Sequence, residues 1–152
     1  MTEDAQFQAG AQGVALNADL PTDSADDEWL ILGSGQLVHR AFETILRNTL
    51  RFSSEGFAVV LTLERDGNDR CIVTVNDAGP GIADGEATQL LEPFAQGAHQ
   101  SGAGLGLGIA RRAIAAWGGS IILANRASNG LRVTLSLPLA RGDLQKHPLD
   151  SQ

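Results

Sequence analysis

Three short segments hold the residue types in this chain that could do chemistry. They are Asn48-Thr-Leu-Arg51, Asp77-Ala-Gly-Pro-Gly81 and Gly102-Ala-Gly-Leu-Gly-Leu-Gly108. The first offers a carboxamide, the second an isolated carboxylate, and the third a glycine-rich turn leading into a helix. In that order they suit a magnesium ion, an adenine ring and a run of phosphates, the parts of Mg-ATP.

Each segment also has a plainer reading. At about 100° per residue, Asn48 falls at the edge of an apolar helical stripe, with Thr44 one turn back and Arg51 beside it. A carboxamide oxygen is a hard ligand that Mg²⁺ accepts, and few protein groups are needed when phosphates complete the shell. Arg51 would reach phosphate oxygens. The alternative is an Asn bonded to a neighbouring backbone group. Asp77 ends an apolar strand. Gly79 and Gly81 permit positive φ and let a flat ring approach the backbone, while Pro80 stiffens the loop. The carboxylate would accept a hydrogen bond from the adenine amine and would repel the carbonyl oxygen that guanine presents there. The alternative is an Asp capping a turn. Glycines running into a helix expose N–H groups at the positive end of its dipole and so cradle phosphate. The alternative is a flexible loop tied to close helix packing. The glycine spacing is not that of the Rossmann fingerprint, and no Lys-Ser/Thr follows as in a P-loop.

The elements that must position these groups follow from periodicity. The 152 residues read as one domain. The spacing predicts a short helix over Asp4–Gly10, a strand over Val14–Asp19, an acidic loop over Pro21–Glu28 and a second short strand over Trp29–Leu32. Ser34 is expected to cap a helix running from Gln36 to about Phe52. β-rich runs over Phe57–Glu64 and Cys71–Asn76 flank a hairpin turn at Asp66-Gly-Asn68. Then come a short helix over Asp84–Leu91, a polar loop over Ala95–Ala103, a helix over Leu105–Trp117 stopped by Gly118-Gly119, and strands over Ser120–Ala124 and Leu131–Leu137. The polar tail, 141–152, is expected to fray. The sum is an α+β two-layer sandwich: a mixed sheet of about five strands with about three helices on one face.

Composition narrows the function classes. A net charge of −7 argues against nucleic acid and against anionic membranes as partners. No apolar run approaches the roughly 18 residues that a bilayer span needs. The lone Cys71 excludes an internal disulfide, fits a reducing cytoplasm and reads as buried strand filler. The histidines and Cys71 show no zinc-ligand spacing.

Read together, the segments resemble the catalytic ATP-binding domain of sensor histidine kinases, the Bergerat or GHKL fold shared with gyrase B, Hsp90 and MutL. Leu46 to Ser53 looks like the N box and Val75 to Ile82 like the G1 box. Leu91-Glu-Pro-Phe94 looks like the F box and Gly102–Gly108 like the G2 box. Ile121–Asn125 and Gly130–Pro138 resemble the closing hairpin. The similarity covers roughly Gly33 to Pro138 of an expected domain over 1–140. It implies that Asn48 coordinates Mg²⁺, that Arg51 contacts phosphate, and that Asp77 binds the adenine amine in a pocket lined by Gly79, Gly81 and Ile82. It implies that Gly102, Gly104 and Gly106, with Leu105 and Leu107, hold the phosphates, and that Phe94 anchors the hinge of a lid over Ala95–Ala103. Phe52 and Thr134 complete the implied binding set.

Departures from the family pattern bear on activity. Position 44 is Thr, where many kinases carry Asn and the ATPases of the superfamily carry a water-activating Glu. Thr cannot be a general base at neutral pH, so hydrolysis is disfavoured, and Glu43 is turned about 100° away on the helix. The expected lid has no Lys or Arg, which leaves Gln96 or His99 to assist transfer. His39 is followed by Arg40 rather than an acid, so it reads as a surface residue, as does His147. The resemblance thus implies a kinase domain whose phospho-accepting histidine sits on a separate dimerisation domain. The parent would be an inner-membrane-anchored receptor that works through a response regulator, with this domain in the cytoplasm. An ATP- or ADP-sensing module with little transfer activity is the alternative, and an anti-sigma-factor serine kinase ranks third.

Overall fold

The computed structural model describes residues 10, 13–21, 31, 34–53, 55–67, 69–92 and 103–140. Along the chain come β1 (Ala15–Asp19), α1 (Gly35–Phe52), β2 (Ala58–Asp66), β3 (Arg70–Asn76), α2 (Glu86–Leu91), α3 (Ala103–Ala116), β4 (Ser120–Asn125) and β5 (Leu131–Pro138). The strands form one sheet in the order β1-β2-β3-β5-β4. β1 runs parallel to β2, with α1 in the crossover, and the other pairs are antiparallel. Among the described residues this is the mixed five-stranded, three-helix sandwich that the periodicity predicts.

Alternation along β2 to β5 makes one face apolar. Val59 and Leu61, Cys71, Val73 and Val75, Ile121 and Leu123, and Leu131 to Leu137 at odd positions all point into the core. There they meet Ala41, Ile45, Leu46 and Leu50 of α1 and Leu107, Ala110 and Ile114 of α3. α3 lies against both α1 and α2. The opposite face carries Thr62, Thr74 and Thr134 in register across three strands, beside the exposed Val60 and Ile122. Cys71 is indeed strand filler at 1% exposure, and its burial pushes the thiol above its ordinary range, with the Arg65 guanidinium opposing.

The ends of the elements have local causes. At the end of α3, Gly118 adopts φ +79°. Its N–H bonds the Ala115 carbonyl at 3.0 Å and the Gly119 N–H bonds the Ile114 carbonyl at 3.0 Å, the paired bonds of a Schellman stop. Ser53 ends α1 by donating its hydroxyl and its N–H back to the Thr49 carbonyl. Three expectations shift. Ser34 sits at the α1 N-cap, but its side chain makes no cap bond; its carbonyl takes the Val38 N–H at 3.0 Å instead. α2 starts at Glu86 because Gly85 before it adopts the left-handed φ +82°, which an α-helix excludes, while the Glu86 carboxylate accepts the Ala83 amide at 2.8 Å. α3 starts at Ala103 and not at Leu105, so Gly104 joins Gly106 and Gly108 within the helix. Of the strand expected over Trp29–Leu32, Ile31 is described, bridging Leu139. The expected helix over Asp4–Gly10 (Gly10 apart) and the tail lie outside the described residues.

The two faces of the sheet should answer mutation differently. Ile45→Ala, at a site 1% exposed, is expected to cost about 2–5 kcal/mol in urea denaturation. Ile122→Ala, at a site 58% exposed, should stay within about 0.5 kcal/mol. Comparable losses at both would place a second packed layer on the outer face.

Candidate functional site

Asp77 continues the inward phase of Cys71, Val73 and Val75 one step past the end of β3. Its side chain is therefore carried into the core side, where it is 2% exposed. Oδ1 accepts the Gly79 amide at 3.0 Å and the Leu131 amide at 2.8 Å. The Asp77 N–H donates to the Leu131 carbonyl at 3.0 Å, so the β3–β5 ladder gains one more rung. The Arg126 guanidinium donates to the Asp77 carbonyl. Asp77 does cap a turn, through Gly79, yet that role occupies one oxygen only. Oδ2 has no hydrogen bond among the described residues. A buried carboxylate is costly unless its oxygens are satisfied, so Oδ2 is poised for a donor from outside the chain.

The loop after Asp77 is shaped by close approach. Gly81 adopts φ +74°, and a Cβ there would lie 2.4 Å from Asn125 Oδ1. Gly130, at φ +100°, would set a Cβ 2.0 Å from the Asp77 carbonyl oxygen. Asn125 accepts the Ile82 amide at 2.9 Å and donates to the Ile82 carbonyl at 2.7 Å. Sequence reasoning missed Asn125, Arg126, Gly130 and Leu131 as parts of this site. The Asn129-Gly130 pair was legible as a turn signal, but what the turn touches was not.

On α1, Asn48 is half-buried, and its Nδ2 is a buried atom with no hydrogen-bond partner. This disposes of the plain reading in which a neighbouring backbone group satisfies that end of the amide. Turning the carboxamide over exchanges donor for acceptor, so the partnerless position can present oxygen. Among the described residues no group of three or more His, Cys, Asp or Glu could hold a metal ion. The residues present fit a cation that takes one protein oxygen from Asn48 and the rest from phosphates and water.

Thr44 donates its hydroxyl to the Arg40 carbonyl at 2.9 Å, and its methyl group lies 2.8 Å from where a Gly106 Cβ would sit. Gly106 therefore allows α1 and α3 to close on each other, as the packing alternative for the glycines holds. The same contact brings the first turn of α3 beside the Asn48 helix. The first N–H groups of any α-helix have no intrahelical partner and lie at the positive end of its dipole. In α3 they include those of Ala103, Gly104 and Leu105, while the Leu107 side chain is core.

Other expected residues separate from this cluster. Thr134 lies on the far face of the sheet, between Thr74 and Ile122, because even positions of β5 point away from the helices; it cannot share a pocket with Asp77 and is corrected out of the site. Arg51 and Phe52 lie in the last turn of α1, but their side chains are outside the described residues, as are Phe94, Gln96 and Gly102. His39 pairs with Glu43 at 3.1 Å across one exposed helical turn, the surface role expected of it.

The sequence model of the family described as histidine kinase-, DNA gyrase B- and HSP90-like ATPases matches residues 33–141. The sensor histidine kinase CpxA of Escherichia coli K12 is 31% identical over 142 residues, which is 90% of this chain and 30% of CpxA. The sensor histidine kinase GtrS of Pseudomonas aeruginosa is 38% identical over 107 residues, 70% of this chain and 22% of GtrS. The chain thus spans less than a third of the length of these curated relatives. Among solved structures, the mycobacterial sensor histidine kinase MprB superposes with a TM-score of 0.75 at 22% identity, covering 90% of each chain. Full-length ShkA in complex with AMPPNP gives 0.72 at 25% identity, covering 99% of this chain and 31% of that one.

An amide that serves the fold and one that waits for a ligand differ in stability. Asn48→Ala removes a buried group without a partner, so the ligand-free protein should be as stable as the wild type or more stable by up to ~1 kcal/mol. Differential scanning calorimetry would reveal this. A loss well beyond ~1 kcal/mol would mean that Asn48 has a structural partner.

Proposed function

The chain belongs to the family of histidine kinase-, DNA gyrase B- and HSP90-like ATPases, and we propose that it is the ATP-binding catalytic domain of a two-component sensor histidine kinase. The observation that carries this reading is the buried Asp77, half-satisfied by the protein's own amides. Its open oxygen would take a hydrogen bond from the adenine amine, with Gly79, Gly81 and Ile82 lining the base pocket. The first-turn amides of α3 would bind phosphate oxygens, and Arg51 would add a charge there. Asn48 would hold Mg²⁺, which when bound neutralises charge on the phosphates. AMPPNP bound to the similar ShkA supports the same ligand class here.

Within this reading the γ-phosphoryl passes to a histidine nitrogen on a dimerisation domain, and ADP leaves. The domain supplies position and charge neutralisation; the attacking imidazole and the acid that activates it come from the partner. Water is a poorer acceptor, because Thr44 is neutral and engaged with Arg40 and Glu43 is paired with His39 on an exposed turn. The parent protein would be anchored in the inner membrane and pass its phosphoryl group to a response regulator, with this domain in the cytoplasm. Gln96 in the lid would assist transfer.

Two measurements test this. Asp77→Asn replaces a charge-assisted bond of about 1.5–3 kcal/mol, so calorimetric titration should show ATP affinity lower by roughly 10- to 150-fold. Unchanged affinity would remove Asp77 from the base pocket. Incubation with the parent's dimerisation domain and γ-labelled ATP should yield acid-labile phosphohistidine. Tight ATP binding with no label transferred would instead favour a nucleotide-sensing module.

A further inference from the structure

The turn joining β4 to β5 holds the segment 77–82 at both ends. At the near end the Leu131 amide grips the Asp77 carboxylate and the Arg126 guanidinium grips its carbonyl. At the far end Asn125 takes both backbone groups of Ile82, accepting from the N–H at 2.9 Å and donating to the carbonyl at 2.7 Å. A carboxamide carries donor and acceptor on separate atoms of one plane, which matches the N–H and C=O of a single residue as a neighbouring strand would. Gly81 passes directly beneath, at φ +74° and with no room for a Cβ against Asn125. The path of the loop is therefore set by two clamps on one hairpin more than by its own turn residues.

We infer that Asn125 is a positioning residue for base recognition. By tying Ile82 to the end of β4, it fixes the loop that carries Gly79 and Gly81 relative to the Asp77 carboxylate. This rests on the reading of Asp77 as the group that binds the adenine amine. Asn125 acts through the loop. Its bonds are at the surface, so removing them alters the loop without opening the core.

The test titrates two nucleotides calorimetrically: ATP and purine ribonucleoside triphosphate, which lacks the exocyclic amine. Wild type, Asn125→Ala and Asn125→Asp are compared, with a thermal melt of each. The wild type should prefer ATP. In Asn125→Ala that preference should shrink by about ten-fold, a shift in keeping with two lost neutral hydrogen bonds, with the melting temperature moved by no more than about 4 °C. Asn125→Asp keeps the shape and the acceptor but turns a carboxylate oxygen toward the Ile82 carbonyl, so it should lose preference too. A residue that merely filled space would be rescued by that isostere. Undiminished ATP preference in both variants overturns the inference. So does an equal loss of affinity for both nucleotides, which would report general damage. A wild-type protein that binds neither nucleotide overturns the functional reading and takes this inference with it.

Discussion

The bond from the Leu131 amide to the Asp77 carboxylate joins the end of β3 to the start of β5 and holds a half-satisfied carboxyl group at the end of the central strand. One oxygen is committed to the fold through Gly79 and Leu131, which fixes the orientation of the carboxyl plane. The remaining oxygen is then held still without being consumed. A carboxylate bonded through both oxygens would be inert, and one bonded through neither would turn freely or leave the interior. The glycine pattern follows from this. Gly130 is required because Asp77 comes so close to the turn that a side chain would overlap its carbonyl, and Gly81 because Asn125 lies across the loop.

Most of the fold was legible because it rests on periodicity. The alternation of Leu131, Val133, Leu135 and Leu137 predicts a half-covered strand, and their burial follows it. The helical spacing of Ala41, Ile45 and Leu46 places α1 to within a residue at its start. Boundaries set by single bonds were less visible. Nothing in Gly102–Gly108 says where coil becomes helix, since glycine suits either, and the helix takes in three of the glycines. α2 starts late because Gly85 takes a left-handed conformation at φ +82°, which its residue type permits but periodicity does not announce.

The site divides along the same line. Asp77 and Asn48 stood out because a polar residue on an apolar stripe breaks the pattern. Asn125 and Arg126 did not, since a polar residue in a hairpin turn breaks no rule. Their importance comes from 43 and 49 residues of sequence separation closing to hydrogen-bond distance, which only the strand order β3-β5-β4 discloses. Thr134 failed for the opposite reason. Its place in a resembling segment suggested the site, yet the two-residue repeat of a strand sends its side chain to the other face.

Asn48 and Asp77 also expose a shared cost. Both keep a polar atom on the core side that no described protein group satisfies, and a sequence selected for stability alone would have little reason to retain either. Thr44, one turn back on the same helix, has the opposite arrangement. It turns its hydroxyl back to Arg40 and packs its methyl group on Gly106, satisfying itself completely within the fold. On a single helical strip, position 44 is thus closed and position 48 is left open. In the proposed function that contrast separates holding a nucleotide from hydrolysing it: the carboxamide at 48 is available to a ligand, while position 44 carries a hydroxyl already engaged with its own helix.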